Sequence, residues 1–526
     1  MSLSKSASLN RCLTLSLFAG VGLYLVFWIM DYNNWFVHPH SFEIQLYGLL
    51  PDGLNFRWSD WIRPFAHLDL FEDRPRFLSY FVTLIDYRLR LMCYEHFVLF
   101  PPFSIAWFLT LGVAPVLVLR CARNMGLDGQ TAALATLLYV TSTGFLSGFS
   151  MILMSAKPLS NVVYIGVIYL MSELKLKYRD QLFYEIKSPL KTALSILIFL
   201  GLFVDEMSLF VFILLPVLFQ EMFEVRQMPG GVVTGAAKRM LKNVFGFLAP
   251  FLLFLFVMIF LVPILTQHYF QYKFDYLGSI LSVKKEMVMS GKTLFHGKLD
   301  GFGWHSFLEN FMTLLGVSFV PGQISPFITH PAASGVLSGQ SQNLPQMLIL
   351  LAVFAGIGVI LCQASGERKS YLKRLVLLCV IYTLFVSLLL GRHVVYVTGY
   401  YYATAFGLFL AYLVAFCLGE INRFGEKFKW LSMALAALIV VIQINNFSVL
   451  NRSYITFHNE EWIKNAFSPY FQIIDKRALT RKELNEIWSA WKERRLEDYL
   501  RRHGISAGAV FLVVELMYRD ELTKKK

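Results

Sequence analysis

The chain has 526 residues, of which 56% are hydrophobic and only 16% are charged, and its formal net charge is +13. A soluble globular protein usually has about 45–50% apolar and about 25% charged residues. This composition excludes an ordinary soluble enzyme and indicates an integral membrane protein. The excess of Lys and Arg is typical of cytoplasmic loops in such proteins, so it is not evidence for nucleic-acid binding.

Hydrophobic segments occur along most of the chain. A membrane-spanning helix needs about 20 mainly apolar residues, and eleven segments are candidates. They lie near residues 12–30, 97–119, 131–152, 159–174, 189–204, 207–223, 244–266, 346–363, 374–390, 400–418 and 429–447. We therefore expect an all-α polytopic membrane protein with about eleven transmembrane helices, within a membrane domain that covers residues 1–447.

Positive charge alternates from loop to loop. The basic loops are 120–123, 175–191, 226–242, 368–374 and 423–429, together with the N-terminus, whereas the short loops between them carry at most one Lys or Arg. Because basic loops face the cytoplasm, this pattern predicts a cytoplasmic N-terminus. It places three long regions outside the cytoplasm: loop 31–96, loop 267–345 and the tail 448–526, which we expect to be a small αβ unit.

The first long loop contains a predicted helix. Asp73 is a good N-cap, and the proline that follows two residues later is favoured in a first turn. Polar residues then recur at helical spacing, and they are Arg76, Ser79, Thr83, Asp86 and Arg90. A narrow polar stripe beside a wide apolar face is typical of a helix that lies at the membrane interface.

Two acidic positions are candidates for chemistry. Asp60 has no capping role, and nearby tryptophans and arginines could tune its basicity, although a simple loop salt bridge is the alternative. Asp205 and Glu206 interrupt an otherwise apolar run. Carboxylates at membrane depth are costly and usually functional, but a turn that leaves both acids in water is the alternative.

Three cationic positions lie at predicted outer helix ends. Arg392, His393 and Lys157 could bind phosphate, which a guanidinium contacts through two oxygens. Their alternative role is contact with lipid headgroups. The six cysteines have no CxxC spacing and the histidines have no HExxH spacing, so neither a disulfide framework nor a metal site is indicated.

The layout of roughly residues 10–447 resembles the GT-C superfamily of membrane glycosyltransferases. The shared features are the number of spans, a long acidic first outer loop with an amphipathic helix, and an acidic pair in a later outer turn. The segment Asp73-Arg-Pro-Arg-Phe-Leu resembles the start of the helix after the catalytic acid. Arg392, which precedes a Tyr-rich span, resembles the basic residue of the last outer loop that binds the donor phosphate.

The resemblance implies inverting transfer of one sugar from a polyprenyl-phosphate donor to a glycan, lipid or protein acceptor. It also implies a bacterial inner membrane with a periplasmic tail, and a divalent metal is possible because members of the superfamily differ in this requirement. The base would be Asp60, Asp73 or Asp31, since no acidic pair follows the first span closely. The remaining assignments are Asp205 or Glu206 for substrate positioning, and Arg76, Lys157, Arg392, His393 and Tyr400 for substrate binding.

Three other functions are considered. An O-antigen polymerase or ligase would be expected to use arginines in a dominant late outer loop, and loop 267–345 contains none. A transporter or flippase would place polar residues or broken helices near the middle of the membrane, whereas the charges here are predicted at outer helix ends. A scaffold protein would act through its tail, residues 448–526.

Overall fold

The structure is a computed structural model, and it is helical. It describes residues 76–83, 85, 109–150, 156–179, 181–224, 233–270, 304–321, 344–390, 403–423, 425–457, 486 and 489. No β-strand occurs in these ranges, so the all-α prediction is confirmed for them. The predicted span near 12–30 and nearly all of the predicted αβ tail lie outside the described residues.

Thirteen α-helices occur in the described part of the chain. They are α1 (Ala114–Asn124), α2 (Gly129–Val140), α3 (Thr143–Ser150), α4 (Ala156–Lys177), α5 (Pro189–Leu202), α6 (Val211–Leu218), α7 (Val233–Phe256), α8 (Val262–Phe270), α9 (Trp304–Phe319), α10 (Leu344–Gln363), α11 (Gly366–Leu390), α12 (Ala403–Arg423) and α13 (Glu426–Phe457). Residues 77–83 are also helical, and we refer to them as the first-loop helix. Short π-helices (Leu109–Val113 and Val257–Leu261) and 3₁₀ helices (Phe183–Glu185, Glu206–Phe210 and Gln220–Met222) connect several of these elements.

Six described helices are long and apolar enough to cross a membrane. They are Leu159–Lys177, Arg239–Tyr269, Leu344–Gln363, Gly366–Leu388, Thr404–Arg423 and Phe428–Phe447. Each corresponds to a predicted span. The full count of about eleven is not confirmed, because the other candidates are shorter helices or fall outside the described ranges.

Two of the predicted membrane spans have wrong boundaries. The segment predicted as one span at 131–152 is divided between α2 and α3 at Thr141 and Ser142. Helix α11 begins at Gly366, eight residues before the predicted start, so Arg368 and Arg374 lie on its first turns and not in a loop. Lys and Arg are good helix formers, and apolar content alone therefore underestimates the length of such a helix.

Part of the second predicted outer loop belongs to the helical bundle. Helix α9 lies within residues 267–345, yet it packs against α10, α11, α12 and α13. Its side chains Asn310, Thr313, Leu314 and Val317 are buried. Its apolar residues alternate with small polar ones, which lowers the mean apolar content of the segment and makes a packed helix hard to distinguish from a loop.

Helix α12 lies at the centre of the bundle. It packs against α2, α3, α11 and α13, and nearly all of it is buried. Glycine permits the close approach, because a Cβ at Gly407 would lie 2.9 Å from the Ser142 Oγ atom. Small residues at helix contacts are typical of membrane bundles. By contrast, the long helix 239–269 and helices α10 and α13 expose many large apolar side chains, as lipid-facing helices do.

Helix α5 and residues 206–222 form a hairpin, which we call the hairpin (189–222). Its turn contains Asp205, and residues 203–208 are its tip. The two arms meet again at the far end, where the ring of Phe223 stacks on that of Phe183, just before α5, with centroids 5.6 Å apart. Phe247 of α7 contacts both rings, with centroid distances of 5.6 Å and 5.0 Å.

Cationic side chains gather at the end of the bundle opposite the tip, and we call this the basic end. Here Arg374 Nη1 lies 2.6 Å from Glu221 Oε1, and Lys175 Nζ lies 3.2 Å from Glu367 Oε1. Lys175 Nζ also donates to the Tyr371 hydroxyl at 2.7 Å. These contacts join α4, the hairpin and α11, and they agree with the prediction that segments 175–191 and 368–374 share one side of the membrane.

Substitution of Asn446 tests whether its hydrogen bonds hold α9 in the bundle. Its Nδ2 atom donates to the carbonyls of Val317 (2.9 Å) and Val320 (2.8 Å) at the end of α9, and the side chain is fully buried. An Asn446→Asp substitution replaces the donor group with an oxygen. A buried acceptor left without a donor costs about 1–3 kcal/mol, so the melting temperature of the purified protein should fall.

A thermal unfolding scan in detergent measures this effect. Val441→Thr, which changes an exposed residue on the same helix, is the control and should leave the melting temperature nearly unchanged. If Asn446→Asp were as stable as the control, α9 would not be held in this way.

Candidate functional site: a buried ion pair at the hairpin tip

Asp205 forms the turn of the hairpin and is buried. It is the N-cap of the 3₁₀ helix Glu206–Phe210, and its Oδ1 atom accepts a hydrogen bond from the Met207 backbone N–H at 2.9 Å. Only 1% of its surface is exposed. The alternative in which this acid simply projects into water is therefore wrong for Asp205. The side chain of Glu206 lies outside the described part of the structure.

Arg76 is the ionic partner of Asp205. Its Nη2 atom lies 3.9 Å from Asp205 Oδ2, and the two side chains are 5% and 1% exposed. Burying an isolated charge is costly, so buried charges are paired. The ion pair joins two residues that the sequence marked separately, one in the first long loop and one in the acidic pair after α5.

The residues after Arg76 attach the first-loop helix to the tip. The backbone N–H of Leu78 donates to the carbonyl of Phe203 at 3.1 Å. The ring of Phe77 stacks on the ring of Phe203, with centroids 6.0 Å apart. A charge contact, a backbone hydrogen bond and a ring contact therefore come from three successive residues, and they fix the loop to the hairpin.

The polar stripe of the first-loop helix faces the bundle. Arg76, Ser79 and Thr83 are buried, whereas Phe81 on the opposite side is 45% exposed. The prediction that the polar residues share one face is confirmed for these three, whereas Asp86 and Arg90 lie outside the described residues. The helix thus has its polar side inward and an apolar residue outward, which is the arrangement that a lipid environment favours.

Helix α4 packs tightly on the tip. A Cβ at Gly201 would lie 2.6 Å from Val163 Cγ1 and 3.6 Å from Ser208 Oγ, so only glycine fits there without a shift. The hydroxyl of Tyr164 donates to the carbonyl of Met207. The Ser208 Oγ atom is buried and has no hydrogen-bond partner among the described residues. The tip and its contact residues Arg76 and Tyr164 therefore bring a guanidinium, a carboxylate and two hydroxyls together within an apolar bundle.

A second group of buried polar residues was missed by the sequence analysis. Glu309 and Asn310 of α9 are 1% and 0% exposed. Asn310 Nδ2 donates to Ser387 Oγ at 2.8 Å, and Ser387 Oγ donates to the Thr383 carbonyl at 2.7 Å. The sequence signal was Glu309 within an apolar run of helical period, but the assignment of this segment to an outer loop obscured it.

The second group lies toward the same end of the bundle as the tip. On α11, the ring of Phe385 is 5.2 Å from that of Phe210, which follows the tip, whereas Arg374 lies at the basic end. Ser387 is therefore even further from the basic end than Phe385. Buried polar groups on α9 and α11 and the buried ion pair thus occupy one half of the bundle.

The other predicted site residues cannot be compared with this geometry. Asp31, Asp60, Asp73, Arg392, His393 and Tyr400 all lie outside the described residues. Lys157 is in the first turn of α4, at the end opposite Lys175, and its side chain is not described. Helix α11 ends at Leu390, two residues before Arg392, and this end is also opposite the basic end.

Comparisons with known proteins do not assign a function. No known protein family, curated protein or solved structure is significantly similar to this chain. Within the described ranges, no group of three or more His, Cys, Asp and Glu side chains could hold a metal ion. The function is therefore argued from the chemistry of the ion pair and its surroundings.

A double-mutant cycle tests whether Arg76 and Asp205 depend on each other. Arg76→Leu removes the guanidinium beside a buried carboxylate, and removing one partner of a buried pair costs about 3–5 kcal/mol. Adding Asp205→Asn removes that charge while keeping an oxygen for the Met207 N–H. The double variant should therefore unfold at a higher temperature than Arg76→Leu alone.

Thermal unfolding of the purified variants measures this recovery. Arg179→Gln is the control, since Arg179 pairs with Glu367 but is 70% exposed, and exposed pairs contribute about 0–1 kcal/mol. Strictly additive losses in the double variant would contradict the coupling.

Proposed function

We propose that this chain is a membrane glycosyltransferase that moves a single sugar from a polyprenyl-phosphate donor to a glycan, lipid or protein acceptor. The observation that carries the proposal is the buried Arg76–Asp205 ion pair, which joins the first long loop to the apolar hairpin. Charged residues within a membrane protein are rare and mark functional sites. A guanidinium is suited to the anionic group of a lipid-linked donor.

In this proposal Arg76 contacts the donor phosphate. A guanidinium has five N–H donors in a planar fork, so one such group can contact a carboxylate and a phosphate together. The phosphate is the leaving group, and a fixed cation stabilises the charge that develops on it. Arg392 and His393, which follow α11, and Lys157 supply further positive charge, and Tyr400 contacts the sugar.

Asp205 acts as a positioning residue. Its Oδ1 atom accepts the Met207 N–H and its Oδ2 atom faces Arg76, so both oxygens are engaged. The catalytic base then comes from the first long loop, with Asp60 and Asp73 as the main candidates and Asp31 as a third. The loop that carries the base also carries Arg76, which would bring base and phosphate-binding group to one place.

The reaction is a single displacement. The base accepts the proton of the acceptor hydroxyl, and the acceptor oxygen bonds to the anomeric carbon. The bond from that carbon to the phosphate oxygen breaks, and the polyprenyl phosphate leaves with the electron pair. One displacement inverts the anomeric configuration. A divalent metal could assist the leaving phosphate, and no step here depends on it.

We further propose that the chain crosses a bacterial inner membrane about eleven times, with a cytoplasmic N-terminus and a periplasmic tail. The gathering of Lys175, Arg179 and Arg374 at one end of the bundle supports this orientation, since cytoplasmic ends are basic. The Arg76–Asp205 pair lies away from that end. A site that opens toward the other side needs a lipid-linked donor, because cytosolic nucleotide sugars do not reach it.

One observation favours transport as a second candidate function. Helices α2 and α3 are interrupted at Thr141 and Ser142, and the Thr141 hydroxyl donates to Gln443 Oε1 of α13 at 2.9 Å. The buried Thr404 hydroxyl donates to the Gly144 carbonyl in the same region. Interrupted helices with polar contacts at depth are typical of transporter sites. A transporter would move the lipid-linked sugar without transferring it.

A transfer assay distinguishes the two functions. Purified protein in liposomes is given a radiolabelled polyprenyl-phosphate hexose and envelope glycan as acceptor, and labelled glycan is measured. Loss of a general base lowers the rate by about 10²–10⁴-fold, so the double variant Asp60→Asn, Asp73→Asn should lose at least about 100-fold. Asp205→Asn should lose less, because it misplaces Arg76 without removing it.

Arg179→Gln at the basic end is the control and should transfer at the wild-type rate. Full activity of the Asp60→Asn, Asp73→Asn variant would overturn this assignment of the base. Movement of the labelled donor across the bilayer without any labelled glycan would instead support the transporter.

A further inference from the structure

Both ends of the hairpin (189–222) lie at the basic end. Lys191 Nζ donates to the Phe183 carbonyl at 2.8 Å near the start of the first arm. At the close of the second arm, Lys175 Nζ lies 3.7 Å from Glu221 Oε2, and Arg374 Nη1 donates to the Leu218 carbonyl at 3.1 Å. The chain therefore enters and leaves the bundle at the same end.

The tip stops short of the far ends of two neighbouring helices, α4 and the candidate span Arg239–Tyr269. The ring of Phe203 contacts that of Phe254 at 5.0 Å, and Phe254 is the middle residue of the candidate span Arg239–Tyr269. At 1.5 Å per residue, about 22 Å of helix continues past this level. Helix α4 similarly continues about 12 Å beyond Tyr164, which contacts Met207 of the tip.

The arms are also short for membrane-spanning helices. Helix α5 has 14 residues and is about 21 Å long, compared with an apolar layer of about 30 Å. Apolar helices of about 10–14 residues are more typical of re-entrant segments than of spans. The length of α5 is therefore consistent with the level of Phe254, at which the tip ends inside the apolar layer.

The backbone of the tip is satisfied by protein groups. The carbonyl of Phe203 accepts from Leu78 N–H, the N–H of Met207 donates to Asp205, and the carbonyl of Met207 accepts from Tyr164. Irregular backbone at membrane depth is tolerated only where protein or a water-filled cavity satisfies it. Together with the bonds that the N–H groups of Val204, Asp205 and Ser208 make within the hairpin, these three bonds satisfy much of the tip backbone, as a turn inside the apolar layer requires.

We propose that residues 189–222 form a re-entrant hairpin whose tip lies inside the apolar layer, where Arg76 and Asp205 form an intramembrane site for the anionic headgroup of a membrane lipid. The ligand class deepens the proposed function and rests on it, while the hairpin rests on geometry alone. The two arms correspond to two of the eleven predicted spans. If neither arm crosses the membrane, the number of spans falls to nine, and every other loop stays on its predicted side of the membrane. The acidic pair then lies within the membrane and not in an outer loop.

Spin labels measure the depth of the tip in liposomes. Leu200, one turn before the tip, is 39% exposed and accepts a label without disturbing the core. Matched labels replace the exposed residues Leu253, at the level of the tip, and Ile264, far beyond it. Cys12, Cys93 and Cys362 are changed to serine, and the three buried cysteines remain.

The ratio of collision rates with oxygen and with a water-soluble nickel chelate reports depth at each label. We expect the label at position 200 to match that at 253, with high oxygen and low nickel access. A nickel access at position 200 equal to that at 264 would overturn the re-entrant hairpin. Because no glycosyl transfer is measured, this failure would leave the proposed function standing.

Thermal stabilisation tests the ligand class. Farnesyl phosphate should raise the melting temperature of the wild-type protein by several degrees and leave the Arg76→Leu, Asp205→Asn variant unchanged, since a ligand stabilises only the state that binds it. Inorganic phosphate should have no effect. An equal rise with inorganic phosphate would indicate a site open to water, and a rise in the variant would indicate binding elsewhere; either would overturn the intramembrane lipid site.

Discussion

The ion pair between Arg76 and Asp205 is the constraint on which the proposed site depends. Neither charge could remain buried alone in an apolar bundle, because the free-energy cost of desolvating it would exceed the stabilisation gained from packing. Together they hold the first-loop helix against the hairpin tip, and the Leu78–Phe203 hydrogen bond and the Phe77–Phe203 ring contact add direction to that attachment. The predicted helix of the first long loop thereby becomes part of the bundle.

Ionic contacts at the basic end hold the base of the same hairpin, opposite its tip. Lys175, Glu221 and Arg374 connect α4, the second arm and α11 through contacts of 3.7 Å and 2.6 Å. This region is more exposed than the tip, so its ion pairs are individually weaker, but several of them share partners. Among the described residues, the hairpin is held at its base by a partly exposed ionic network and at its tip by the buried Arg76–Asp205 pair. The chemistry we propose belongs to the desolvated end, where electrostatic interactions are strongest.

The sequence predicted the class of fold and several residues of the site, but not how those residues meet. Arg76 was marked as part of a polar stripe and Asp205 as an acid in an apolar run, and both assignments followed from local pattern. Their contact depends on the depth at which α5 ends, which tertiary packing determines. A 14-residue apolar helix looks the same in sequence whether it spans a thin layer or turns back within a thick one.

Helices with mixed composition were the other difficulty. The start of α11 carries Arg368 and Arg374, and α9 carries Glu309, so hydropathy shortened the first and hid the second. Neighbouring helices provide partners for polar side chains of both, through Glu420 for Arg368 of α11 and through Ser387 for Asn310 of α9. A single sequence does not show which residues of neighbouring helices will contact these side chains. The positive-inside pattern depends only on the order of charged loops, and the contact between Lys175 and Glu367 agrees with its grouping of segments 175–191 and 368–374.

The central claim is that a lipid phosphate binds at the buried ion pair. The most direct test is an experimental structure in a lipid nanodisc with a non-hydrolysable polyprenyl-phosphate sugar. We expect the phosphate to lie within hydrogen-bond distance of the Arg76 guanidinium, at the level of Phe254, with a first-loop carboxylate facing the anomeric carbon. A phosphate remote from Arg76, or a water-lined path through the helices at Thr141 and Ser142, would contradict it.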